Sequence, residues 1–134
     1  MISKWAVQGV VVLILAVSSS PSKVHDSTSF DDALASATAN VSTSAGQQYD
    51  TDFGARFGER NAHQVARCAA DAVGKDRDRF DMLFRVSANG KITELLTKPV
   101  TRIAKCLAGK VRTDTYPKPP RDGYWVRIEM GFTE

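Results

Sequence analysis

The chain has 134 residues, 43% of them hydrophobic and 25% charged, with 18 Lys and Arg against 15 Asp and Glu. That length suits one domain. The two cysteines and two histidines, scattered over residues 25 to 106, do not show the close paired spacing of a zinc site.

Met1 to Lys4 carries one lysine, and residues 5–17, WAVQGVVVLILAV, then run without a charge. Ser18, Ser19 and Ser20 follow, with small residues at the spacing a signal peptidase accepts. The pattern predicts a secretory signal peptide over residues 1–18. The apolar run is shorter than the roughly 20 residues of a membrane span, which leaves a retained inner-membrane anchor over residues 5–17 as the second reading.

Residues 19–52 are rich in Ser, Thr and Ala and poor in large apolar side chains. Such a composition buries too little surface to offset the entropy of ordering it, and predicts a flexible tether. In this reading Phe30 to Ala39 is no more than a transient helix. Residues 18–52 set one lysine against five aspartates, whereas from Phe53 onward 16 Lys and Arg face 10 Asp and Glu. The tether is acidic and the remainder, residues 53–134, is a basic domain. A basic exported domain can be drawn to an anionic surface such as a membrane, a cell-wall polymer or an acidic protein. Export argues against nucleic acid.

Within the domain, Ala62, Val65, Ala69 and Ala72 recur at helical spacing beside Cys68, predicting a helix over 58–73 that ends at Gly74. RFDMLFRVS alternates: Phe80, Met82, Phe84 and Val86 share one face of a strand. Asn89-Gly90 signals a two-residue type I′ turn. KITELLT returns as the second strand, pairing Arg85 with Glu94 and Phe84 with Leu95. Ile92 and Leu95, three apart, call for a bulge. The stretch 98–111, KPVTRIAKCLAGKV, reads as a second helix with Pro99 in its first turn. Its apolar stripe is Val100, Ile103, Leu107 and Val111, with Cys106 at the edge. After a proline-rich crossing, YWVRIEMGF alternates as a third strand with Trp125, Arg127 and Glu129 on its outer face.

The predicted fold is α+β, in the order helix-strand-strand-helix-strand, with two helices packed on one face of a three-stranded antiparallel sheet. Each helix carries one cysteine. In a small domain sent to an oxidising compartment, Cys68 and Cys106 are expected to pair as a structural disulfide. A redox role is the rival, and the chain offers no Cys-x-x-Cys for it.

Taken together, VARCAADAV, FRVSANGKI, VTRIAKCLAGKV and YPKPP resemble the C-terminal domain of TonB-type energy transducers. The likeness is nearest to the two-cysteine type at the C-terminus of gliding-motility and energy-transducer-like envelope proteins. Cys68, Gly90, Cys106 and Tyr116-Pro117-Lys118-Pro119 carry it, over roughly 75 residues. The resemblance implies an envelope module that binds a segment of a partner as an extra strand on a sheet edge. The chain departs from TonB in lacking a proline-rich spacer and in its cleavable-looking N-terminus.

Chemistry finds little support in the residues. His25 and His63 are far apart in the chain, Asp76, Asp78 and Asp81 alternate with arginines in a connector, and no phosphate-binding glycine loop or metal-ligand spacing is present. The expectation is a periplasmic or secreted, non-enzymatic interaction domain with no cofactor, metal or small-molecule substrate. It would meet an envelope protein through Trp125, Arg127 and Glu129, with cover of Trp125 by the tether or a strand end as the other reading of that residue. The alternatives are a basic structural or cell-wall-associated protein, or a secreted inhibitor or effector.

Overall fold

The computed structural model describes residues 28–132. The predicted signal peptide, residues 19–27 of the predicted tether and His25 lie outside them. β1 (Phe80–Val86) is the centre of a three-stranded antiparallel sheet of order β2-β1-β3, with β2 (Ile92–Lys98) and β3 (Tyr124–Met130) as its edges. The α+β class and the order of elements match the sequence pattern. Alternation puts Phe80, Met82, Phe84 and Val86 on the same face as Tyr124 and Val126, all of them buried.

The hairpin register follows the expected pairs. Phe84 faces Leu95 and Arg85 faces Glu94, and the ladder then slips so that Val86 faces Ile92 and Thr93 is the extra residue. The turn is of another type. Ser87 N–H donates to the Lys91 carbonyl and Gly90 N–H to the Ser87 carbonyl, both at 2.8 Å. Three residues, Ala88 to Gly90, thus form the loop. Gly90 takes a left-handed φ of 82°, and Asn89 does not have a positive φ. The arrangement is that of a three-residue hairpin loop with a left-handed glycine, not a two-residue type I′ turn. Gly90 also anchors the crossing, because Tyr116 N–H donates to its carbonyl at 2.9 Å. A Cβ there would fall 2.1 Å from the Tyr116 carbonyl oxygen.

The largest departure is the tether. Residues 30–40 form α1 (Phe30–Asn40), and α2 (Ser44–Ala69) is a 26-residue helix that begins well inside the segment expected to be flexible. Ser29 and Thr43 cap the two helices by accepting from Asp32 N–H and Gly46 N–H. The physical reason for α2 is its spacing of aromatics. Tyr49, Phe53 and Phe57 stand four apart on the buried face, and they continue the helix toward Val65 and Cys68. Phe53 is fully buried. It stacks on Tyr116 with centroids 4.3 Å apart and meets Phe84 at 5.1 Å.

α3 (Arg102–Val111) packs beside α2, burying Ile103, Ala104, Leu107 and Val111. It starts later than its sequence suggests. Thr101 is the N-cap, its hydroxyl accepting from Ala104 N–H at 3.1 Å. Pro99 lies before the helix, and Val100 is 60% exposed instead of joining the stripe. A disulfide joins Cys68 to Cys106 at the α2–α3 seam, with Cα atoms 5.7 Å apart. His63 is exposed on α2.

Two helices therefore cover one face, as expected, and α1 covers the part of the other around Leu83 and Trp125, leaving Arg85, Arg127 and Glu129 exposed. Ala33 and Ala37 of α1 form a second small core with Leu83 and Trp125, flanked by Phe30, Leu34 and Leu96. Alanine at these positions lets the helix lie close over the large Trp125 ring. No helix of the described residues is long and apolar enough to cross a membrane.

The main core holds three tyrosines whose burial has a consequence for pH. Burial pushes the Tyr116 hydroxyl up to about 12, with the Asn61 hydrogen bond opposing. Burial and the neighbouring Tyr124 push Tyr49 higher still. An unfolded chain ionises these groups near pH 10, while the folded one keeps them protonated. Protons bound by the folded state exceed those of the unfolded state above that pH, so stability falls as pH rises. Denaturant unfolding at stepped pH above neutral is expected to show the tyrosine contribution constant up to about pH 10 and stability dropping steadily between about pH 10 and 12.

Candidate functional site at the outer edge of β3

β3 is an edge strand, and the ladder decides which of its main-chain groups are open. Residues facing each other across an antiparallel pair alternate between exchanging hydrogen bonds and turning them outward. The Thr93 hydroxyl donates to the Arg85 carbonyl at 3.3 Å, which places that carbonyl on the β2 side of β1. Arg85 faces Trp125, so Trp125 turns its own main-chain groups away from β1. The Asn40 side chain agrees: its Nδ2 donates to the Trp125 carbonyl at 3.0 Å from outside the sheet. With a period of two, Arg127 and Glu129 also direct N–H and C=O to the outer edge, where no further strand of the described residues pairs.

Beside this edge lies a groove of about 430 Å³, lined by Ala37 and Thr38 of α1 and Val41 just after it, Asp50 of α2, and Arg127, Ile128 and Glu129 of β3. Its walls mix apolar and charged groups. Arg127 makes a paired contact with Asp81 at 3.0 and 3.1 Å. Glu129 accepts from Arg79 at 2.9 Å and lies 3.6 Å from Arg127. The hydrogen bond to Asp81 holds the Arg127 guanidinium above its ordinary pKa. Burial raises the Asp50 carboxyl. The ion pairs are exposed and contribute little to stability. What they do is fix Arg127 and Glu129 in place along the rim.

Of the three residues expected to meet a partner, Arg127 and Glu129 are exposed on this rim. Trp125 is not: it is 6% exposed, under Ala33 and Ala37. Of the two readings of Trp125, cover by the segment read as a tether is the one the structure has, and the exposed tryptophan is not. Asn40, Thr38, Val41 and Asp50 were not singled out by sequence, because they lie in that segment. Cys68 and Cys106 lie on the opposite side of the sheet, at the α2–α3 seam, and take no part in the groove. Among the described residues no group of three His, Cys, Asp or Glu is placed to hold a metal ion. Searched against family models, curated proteins and solved structures, the chain matches none.

Proposed function

We propose that the protein is a non-enzymatic cell-envelope interaction domain that takes an extended segment of a partner protein as a fourth strand along β3. The observation that carries this reading is the outward-facing main chain of Arg127 and Glu129 beside a groove walled by α1. Main-chain hydrogen bonds would supply affinity, and the groove would select alternate side chains of the added strand. The Asn40 bond to the Trp125 carbonyl closes the edge at that end, so the added strand pairs from Arg127 onward. This is the mode implied by the resemblance to TonB C-terminal domains. The disulfide favours an oxidising compartment, and with the N-terminal pattern it supports a periplasmic or secreted location.

The experiment is photocrosslinking in cells from a photoreactive residue at Thr38, on the groove wall. A partner adduct should form from Thr38 and not from Thr97 on the other edge. Glu129→Pro should abolish it, since proline removes an outward N–H without touching the β1 ladder. An adduct that survives Glu129→Pro, or that forms equally from Thr97, overturns the reading.

A second reading has its own observation. Arg60, Arg67, Arg102, Lys105 and Lys110 are exposed on the outer face of α2 and α3, which suits retention on an anionic cell-wall polymer. Salt separates the two, because binding through exposed charges collapses as ionic strength rises, whereas strand addition persists.

A further inference from the structure

A second hollow, of about 230 Å³, opens where the α1–α2 connection meets the start of β3. The first turn of α2 lines it together with Ala39 and Asn40 at the end of α1 and with Pro120, Arg121 and Tyr124. The N–H groups of a first helical turn have no acceptor within the helix, and the dipole makes that end electropositive. Thr43 Oγ1 takes the Gly46 N–H at 3.0 Å. The N–H groups of Ser44 and Ala45 make no backbone hydrogen bond among the described residues, Ala45 lines the hollow, and the turn contains no acidic residue to approach them.

Two side chains add to the helix end. The Arg121 guanidinium donates to the Asn40 side-chain oxygen and lies over the Tyr124 ring, 5.0 Å from its centroid. With five N–H donors a guanidinium keeps several to spare. The Tyr124 hydroxyl is buried and has no hydrogen-bond partner among the described residues, in a residue only 2% exposed. A Cβ on Gly46 would stand 3.0 Å from that hydroxyl, which places it directly against the first turn of α2. A buried hydroxyl without an acceptor is costly to keep, and the donors beside it call for an anion. Asp50, one turn further along α2, is the carboxylate whose field reaches the hydroxyl. It lines the β3 groove, not this hollow.

We propose that this hollow is a binding site for a small oxyanion, a phosphate, sulfate or carboxylate group, held by the open N–H groups of α2, Arg121 and the Tyr124 hydroxyl. Arg121 is exposed, so its side chain is free to turn toward a bound anion. The site is independent of strand addition at β3.

The test is an amide-resolved NMR titration of the isotope-labelled protein with sodium sulfate, sodium phosphate and sodium acetate, each against sodium chloride at matched ionic strength. Saturable shifts centred on Ser44, Ala45 and Gly46 are expected. Saturation by sulfate and phosphate alone assigns a tetrahedral oxyanion, and saturation by acetate alone assigns a carboxylate. Arg121→Gln and Tyr124→Phe should each weaken binding about tenfold, the loss expected for one strong hydrogen bond to an anion. Tyr124→Phe removes a hydroxyl that makes no hydrogen bond among the described residues, so the fold survives and the comparison stands. Shifts reproduced by chloride, or unchanged affinity in both variants, overturn the proposal.

Discussion

Phe53→Ala is expected to lower the unfolding free energy by about 3–5 kcal/mol, the range for deleting a fully buried phenylalanine. The side chain has no solvent exposure and lies between Tyr116, Phe84 and Tyr49. Removing it takes apolar area out of the core and leaves a cavity that the stacked Tyr116 ring, tied to Gly90 through its own N–H, cannot easily fill. Urea denaturation followed by circular dichroism measures the change. The result also tests where the domain begins. If Phe53 merely abutted a mobile tether, its replacement would stay within about 0.5 kcal/mol, as surface changes do. A loss of several kcal/mol places the aromatic row of α2 in the core.

That row shows what the sequence made legible. β1 and β3 announced themselves because their period of two is unbroken: Phe80, Met82, Phe84 and Val86, then Tyr124, Val126 and Ile128. The bulge was legible from the spacing of Ile92 and Leu95, and the disulfide from one cysteine on each of two helices. The start of α2 was harder to see. Its buried positions Gly46, Tyr49, Phe53, Phe57 and Asn61 do keep helical spacing, but two of the five are a glycine and an asparagine. Composition averaged over the Ser, Thr and Ala around them hid the three aromatics. Gly46 sits on the buried face because a side chain would collide with the Asn40 carbonyl, 1.6 Å from where its Cβ would lie. Close approach of two chain segments leaves no mark in a periodicity.

α1 was illegible for a related reason. Its buried residues are Ala33, Ala37 and Asn40, which carry little hydrophobic signal. Their value appears only against a partner surface, Leu83 and Trp125, that is distant in the chain. The same gap misplaced part of the candidate site. Reading β3 alone puts Trp125, Arg127 and Glu129 on one outer face, which is correct for the strand. It cannot tell that Asn40 and two alanines close over the first of them. The rim survives as Arg127 and Glu129, and the groove wall comes wholly from residues that composition had set aside.

Replacing Cys68 and Cys106 together by alanine is expected to cost about 4 kcal/mol, the chain-entropy value for a cross-link at a separation of 38 residues. The location of the bond says where that loss arises. Cys106 is exposed and Cys68 half-buried, so truncating them opens no large cavity, and the rows of α2 and α3 on either side stay packed through Phe57, Ile103 and Leu107. The native structure should keep its circular dichroism spectrum while the denaturation midpoint falls. The released unfolded chain exposes more surface, so the denaturant slope should steepen in the variant. A small domain holds about 5–15 kcal/mol in all, which makes this bond a large share of the total. It also ties stability to the compartment: under reducing conditions the wild-type midpoint should fall to that of the double variant, and the variant's own midpoint should not move. A double variant within 1 kcal/mol of wild type would show that the two helices hold the sheet without the cross-link, and the disulfide would then need a reason other than stability.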